Sequence, residues 1–300
     1  MNPFDLHIHS AYSNDGELEI HELVNKCLSN NIEIFSITDH NIVRGLEEAT
    51  SLASKSGIDF ITGIEIDCNY HGTDLHLLGY QIDWKNSAIS QLESMAEQTI
   101  MDAVPLMLRN LAIAGIKLDL AEVLEKARGK LPSPELFAEV LLGNSTYHSN
   151  PRLLPYLEGG ERSDMPYINF YLDYFAQGKP AYVKMELLPF SEAVKVILDS
   201  GGIPVVAHPG HNFRGKEEVV TDLLDQGAAG LEVFNNYHNL DQMEFFASLL
   251  TKRGGLMTCG SDFHGKTKPL IDIGAFPLLS PYQEKLEQSI EYILHYDSNS

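Results

Sequence analysis

The sequence predicts an α/β protein: a mostly parallel sheet with helices outside it, interrupted midway by a helical insertion. Three observations carry this. Short apolar runs alternate with amphipathic stretches in both terminal parts of the chain, the order of repeated βα units. About seven of these runs end beside His, Asp or Glu, at the strand ends where barrel active sites sit. The alternation stops between residues 98 and 182, where helical stretches meet Pro- and Gly-bearing turns.

Taken in order, residues 4–8 read as a strand, and Ser10 to Gly16 as a loop. A helix follows at 20–30, with Leu23, Val24, Cys27 and Leu28 at helical spacing. Next come a strand at 34–38 and a helix at 45–56, on which Leu46, Ala49, Leu52 and Ala53 make one apolar face. Strands at 60–67 and 75–80 complete the first part. Helices at 104–114, 120–127 and 135–142 belong to the insertion, punctuated by Leu131-Pro132-Ser133-Pro134 and Gly159-Gly160. The βα order resumes with a helix at 192–200, stopped by Gly201-Gly202. Strands at 203–207, 230–234 and 256–259 follow, separated by helices at 217–226 and 240–253. A helix at 281–296 closes the chain. The expected division is a barrel from 1–97 and 183–300 with a helical insertion at 98–182 over its mouth.

The net charge is −21, from 42 acidic against 21 basic residues. Such a surface repels long polyanions and argues against general binding of long nucleic acid. Cys27, Cys68 and Cys259 form no CxxC pair and no even framework, which suits a reducing cytoplasm. Strand-like sequence begins by Phe4, with no basic n-region or apolar h-region before it, so no signal peptide is expected, and no run approaches the roughly 20 apolar residues of a membrane span.

The chemistry concentrates at the strand ends. His7 and His9 are two apart at the end of the first strand, and Asp262 and His264 two apart after the last; strand alternation would converge each pair. Between them lie Thr38-Asp39-His40, Gly63-Ile64-Glu65, Asp74-Leu75-His76 and Ala207-His208-Pro209, while the 230–234 run leads into Asn235 and His238. Imidazoles and carboxylates gathered this way describe a multinuclear hydrolytic metal centre.

Phe4 to Ser10 resembles motif I of the PHP (polymerase and histidinol phosphatase) superfamily. The likeness continues in order through Thr38-Asp39-His40, Ala207-His208-Pro209 and Gly260-Ser261-Asp262-Phe263-His264-Gly265, with Glu65 and His76 between. The helical insertion falls where the family's nucleotide-phosphatase branch carries one. The resemblance implies a distorted (β/α)7 TIM-like barrel and three divalent ions (Mn2+, Fe2+ or Zn2+). It further implies hydrolysis of a phosphomonoester, a nucleotide or bisphosphonucleotide, by a metal-activated water. Carried over residue by residue, it gives one ion to His7, His9, Glu65 and Asp262, and a second to Asp15, His40 and His264. A third goes to Glu65, His76 and His208, with Glu65 bridging. Histidinol-phosphate phosphatase, a 5′–3′ exonuclease of short oligonucleotides and, outside the enzymes, a regulatory binding module are the alternatives; filling of all nine positions argues against the last.

Around these, Asp39 is expected to orient His7 or another imidazole. His211, His238, Arg44, Arg214, Lys216, Lys266 and Lys268 follow strand ends and are expected to touch substrate, the cations through phosphate. One departure stands out. Where the nucleotide branch carries an Arg-Pro-His-type stretch, this chain reads Pro132-Ser133-Pro134-Glu135, which leaves the substrate open.

Overall fold

The computed structural model describes residues 1–297. β1 (Phe4–Ile8), β2 (Ile34–Ile37) and β3 (Asp59–Tyr70) pair in parallel, with α1 (Ile20–Ser29) and α2 (Leu46–Ser56) as crossovers. Reciprocal bonds between Glu19 and Glu22 start α1, and Gly57, in the left-handed region at φ 68°, ends α2. β4 (Thr73–Tyr80) follows β3 after only His71 and Gly72, and so pairs with it antiparallel. A parallel pairing would need a crossover of a dozen residues. β4 is also antiparallel to β6, so it is the antiparallel member of an otherwise mostly parallel sheet.

After β4 the chain rises through α3 (Ser87–Ile113) into α4 (Leu120–Ala127), α5 (Pro134–Gly143) and α6 (Pro166–Tyr174). It returns through the short β5 (Leu188–Pro189) and α7 (Phe190–Asp199) to β6 (Ile203–Val206). α8 (Pro209–Asn212), α9 (Val220–Asp225), β7 (Gly230–Phe234), α10 (Leu240–Arg253), β8 (Leu256–Cys259) and α11 (Gln283–Leu294) complete the order. The sheet runs β1-β2-β3-β4-β6-β7-β8, seven strands in a path, with β5 added beside β3. Its two ends meet where Asp262 N donates to His7 O and His9 N to Phe263 O, each at 2.9 Å. The barrel is therefore closed by the backbone of the residues expected to hold metal.

Two apolar cores are separate. One lies in and around the barrel and includes Phe35, Ile61, Leu77, Val205, Leu231 and Phe246; the other includes Phe137, Leu141, Tyr156, Phe170 and Phe175. α3 serves both. Ile89 and Leu92 join the first core, while Val104, Met107 and Leu111 join the second. The expected boundary at 97/98 thus falls inside one continuous helix of 27 residues, where the sequence suggested a helix only from 104. Pro105 sits within it and removes one backbone donor without ending it. No described helix is long and apolar enough to cross a membrane.

Candidate metal centre

Glu65 projects from the middle of β3 and is fully buried. Its two oxygens face opposite ways. Oε2 lies 3.1 Å from His7 Nε2 and 3.1 Å from His9 Nε2, while Oε1 lies 2.8 Å from His76 Nδ1 and 3.2 Å from His208 Nε2. A carboxylate so placed can bridge two cations. Asp262 Oδ1 completes the first side, 3.4 Å from His7 Nε2 and 3.2 Å from His9 Nε2. On the far side of His9, Asp15 Oδ2 sits 3.0 Å from His264 Nε2 and 3.7 Å from His40 Nε2. The nine side chains come together as three overlapping groups, His7-His9-Glu65-Asp262, His9-Asp15-His40-His264 and Glu65-His76-His208.

The local backbone explains the convergence. His7 on β1 and His9 just past its end keep the alternation of a strand, but β8 ends at Cys259, so alternation does not unite Asp262 with His264. Asp262 instead adopts φ 57°, and the His264 ring turns back so that Nδ1 lies 2.8 Å from the Asp262 carbonyl. His208 is likewise held at φ 25° just before Pro209. Non-glycine residues in this region are strained, and such strain gathers at functional sites. A side chain at Gly260 would start 2.2 Å from the His7 Cβ, so glycine is required there.

The electrostatics call for cations. Burial works against charge, yet the surrounding imidazoles hold Glu65 and Asp15 well below the usual carboxylate range, and Lys268 with His264 does the same for Asp262. Five buried atoms, His7 Nε2, His9 Nε2, Glu65 Oε2, His76 Nδ1 and His264 Nε2, have no hydrogen-bond partner although they face one another. Orphaned lone pairs of this kind are costly unless something binds them. Nitrogen and carboxylate donors around a common centre fit divalent metal ions.

Two residues that the sequence did not mark support the donors. Glu232, fully buried on β7, places Oε1 3.0 Å from His7 Nδ1, while Oε2 accepts from His208 N at 2.8 Å. It fixes the tautomer that leaves His7 Nε2 facing inward. Asp67, two residues after Glu65 on the same face of β3, lies 3.1 Å from His40 Nδ1 and 3.4 Å from His76 Nε2. Asp67 and His76 are also the most exposed members, at 25% and 33%, so the centre opens on that side.

The residues expected around the centre divide. Lys268 reaches it: its Nζ donates to Asp262 Oδ2 at 2.6 Å, as does the Tyr237 hydroxyl at 2.6 Å, leaving Oδ1 for the histidines. His211 stands exposed beside it, 5.9 Å from the His208 ring. Asp39 does not orient an imidazole. Its carboxylate accepts from Ser10 N and Ser10 Oγ, each at 2.6 Å, and so pins the loop leaving β1. His238 is buried with both nitrogens used, Nε2 accepting from Gly210 N and Nδ1 donating to Val233 O, and burial favours its neutral form. It therefore positions the turn after His208 and cannot meet substrate. Arg44 points away to Glu93 and Glu97 on α3, and Arg214 and Lys216 are exposed without a bond to the centre. Lys266 pairs with Glu139 on α5 at 2.7 Å.

The insertion reaches the same rim. Tyr182 donates to Asp74 at 3.2 Å, Gln177 to Gly72 O at 2.8 Å and Lys130 to Gly16 O at 3.1 Å.

Comparison with known proteins agrees with this geometry. A family model described as the PHP domain matches residues 5–148. The chain is 29% identical over 297 residues to a 3′,5′-nucleoside bisphosphate phosphatase of Chromobacterium violaceum, across 97% of this chain and 98% of that protein. It is 30% identical over 278 residues to the 5′-3′ exoribonuclease Rnm of Escherichia coli, across 90% and 88%. A Bifidobacterium adolescentis structure described as a metal-dependent phosphoesterase shares the fold with a TM-score of 0.79 at 21% identity, covering 99% of this chain and 97% of that one. With the family model on the first motifs and a 30% identical relative matched along most of its length, the chain belongs to the PHP domain family.

Proposed function

We propose that this protein is a metal-dependent hydrolase of small phosphomonoesters, acting on a nucleotide or bisphosphonucleotide. The single observation that carries it is Glu65, whose two oxygens serve two histidine groups at the closed end of the barrel. Three divalent ions, Mn2+, Fe2+ or Zn2+, would be held by three of the four overlapping donor groups, the fourth being His40-Asp67-His76. When bound they supply Lewis acidity to a phosphoryl oxygen and acidify an attacking water.

The chain's own residues prepare that chemistry. Glu232 holds His7 by Nδ1, and Asp67 holds His40 by Nδ1, so their Nε2 atoms stay turned to the centre. Lys268 and Tyr237 occupy one oxygen of Asp262 and fix the other. Lys268, at 11% exposure, also brings a positive charge to where phosphate would lie. Segment 98–182 acts as a roof, held to the barrel loops by Lys266–Glu139 and Tyr182–Asp74, and restricts the site to small substrates. The acidic surface works in the same direction against long strands. Three buried cysteines outside any disulfide accord with a cytoplasmic setting.

A phosphate-release screen with added Mn2+ tests this, using mononucleotides, bisphosphonucleotides, sugar phosphates, histidinol phosphate and single-stranded RNA of several lengths. Turnover should be highest on the small nucleotides. Processive loss of nucleotides from long strands at physiological salt would instead favour an exonuclease, the activity for which the Escherichia coli relative is named.

A further inference from the structure

Of the four overlapping donor groups among the described residues, one, His40-Asp67-His76, is assigned no ion of its own. The strand register brings it together. His40 forms a parallel bridge with Glu65, and Asp67, two residues further along β3, stands opposite His76 in the antiparallel ladder with β4. Residues paired in this way carry Cβ atoms about 5 Å apart on one face. Asn41 aims the carboxylate between the two rings. Its amide nitrogen donates to Asp67 Oδ2 at 2.8 Å, and its amide oxygen accepts from Asp67 N at 3.0 Å. Asn41 is buried and adopts φ 57°, a left-handed backbone that asparagine tolerates better than most residues. Asp67 Oδ1 is left to face the histidines.

A neutral imidazole carries one proton, so the nitrogen that meets a cation decides where the proton is. His40 turns Nε2 toward Asp15, 3.7 Å away, and its Nδ1 is nearer to Asp67 Oδ1, at 3.1 Å, than to Glu65 Oε2, at 3.4 Å. His76 turns Nδ1 toward Glu65 Oε1, 2.8 Å away, and Nε2 toward Asp67 Oδ1, 3.4 Å away. With the inner nitrogens given to cations, both outer nitrogens bear protons, and both face the same carboxylate oxygen. An oxygen that receives two N–H groups has no place for a fourth ion. The two rings belong to different ions, His40 with Asp15 and His264, and His76 with Glu65 and His208. Burial works against charge on Asp67, yet His40 and, after it, His76 hold its carboxyl below the usual carboxylate range.

We propose that Asp67 is a positioning residue for two of the three ions at once, its Oδ1 orienting both His40 and His76. The proposal rests on the metal-centre reading above. The first ion, on His7, His9, Glu65 and Asp262, has no donor in contact with Asp67 through an outer nitrogen and is independent of it. His76 is the most exposed of the nine donors and has the most room to turn away, and Asp67 is the group that meets its outer nitrogen. The centre is thereby asymmetric: one ion is held by its own donors, and two share a single support.

The test counts the Mn2+ retained by the full-length protein, by elemental analysis, over a series of free Mn2+ concentrations set with a chelator. In Asp67→Ala, two equivalents should require about tenfold more free Mn2+, while the third stays within about twofold of the wild type. Asn41→Gly suits the left-handed backbone and removes the amide that aims Asp67, so it should weaken the same two equivalents by a smaller factor. A single weakened equivalent would show that Asp67 serves one ring only. Loss of a fourth equivalent, with the other three unchanged, would make the group an ion site of its own. Unchanged retention with a lowered melting temperature would leave Asp67 only a tie between β3 and the turn at Asn41. Each of these three results overturns the proposal, and wild-type protein that retains no Mn2+ would overturn it together with the metal centre. The counts need no substrate, so a protein that retains ions in the expected pattern yet releases no phosphate would uphold the role of Asp67 and end the phosphoesterase reading alone.

Discussion

Beneath the mouth, the barrel core is mostly aliphatic, with Ile34, Ile37, Ile61, Leu77, Val205 and Leu231 on paired strands, and takes in aromatic rings such as Phe35, Tyr80 and Phe246. The second core has no strands and joins aliphatic residues such as Val104, Leu111 and Leu141 to an aromatic cluster: Phe137, Tyr156, Phe170 and Phe175 are enclosed, with Tyr147, Tyr167, Tyr171 and Tyr174 around them. In the barrel, backbone pairing fixes the strands, so donors on or just beyond six of them (β1, β2, β3, β4, β6 and β8) can be held within hydrogen-bond distances of one another. In the insertion, position depends on side-chain packing and a few polar ties to the rim. The difference teaches a division of labour. Groups that must be placed to a fraction of an ångström are on the ladder or just past its ends, and the proposed roof over them is on packed helices.

The largest effect should come from breaking the barrel side. His9→Ala removes a donor shared by two of the three groups, so turnover should fall about a thousandfold or more while circular dichroism is preserved. Elemental analysis should show lost metal; full metal content with full activity would refute the assignment.

The next breaks the insertion alone. Phe170 is fully buried in the aromatic core, and Phe170→Ala should destabilise that core by about 3–5 kcal/mol. The chain's one tryptophan, Trp84, packs on the barrel core and reports on it separately. Melting followed by circular dichroism should gain an early phase that Trp84 fluorescence does not see. A single shifted transition in both signals would mean that the two cores unfold as one.

A smaller effect concerns Glu135, which lines a cleft with Lys130 and is 9% exposed. Burial, with Asp15 adding to it, pushes its carboxyl up to about 7. A folded pKa above the unfolded value means that the fold binds the extra proton. Stability is therefore full below about pH 4 and declines as pH rises toward 7. Glu135→Gln should melt with the wild type at pH 4 and exceed it at pH 8, by an amount on the order of 2 kcal/mol. Equal melting at both pH values would mean that the carboxyl is neutralised by a partner.

Much of the barrel could be read in advance because strand periodicity is local. His7 and His9 needed only their spacing, and α10 begins and ends where Asn239 and Gly254 cap it. Asp67, at the end of the strand expected at 60–67, was open to the same alternation rule from Glu65. Glu232 could not be found this way, since its partner His7 lies 225 residues away and only closure of the sheet joins them. His238 and Asp39 carry plausible chemistry at plausible positions, but the direction of a ring or carboxylate after a strand end is set by tertiary contacts. The first half of α3 was missed because its outer positions are polar and its buried residues few.

That helix has a geometric corollary. Each residue of an α-helix advances the chain by about 100° around its axis. Because α3 runs unbroken from Leu92 in one core to Val104 in the other, the angular phase of the insertion over the mouth is counted in residues. Adding a single alanine between them would swing everything beyond through about a quarter-turn and part Lys130 from Gly16, whereas seven added residues would nearly restore the heading while lifting the roof by about 10 Å. Length changes in this stretch are therefore quantised by the helical repeat, a constraint that a flexible linker would not impose.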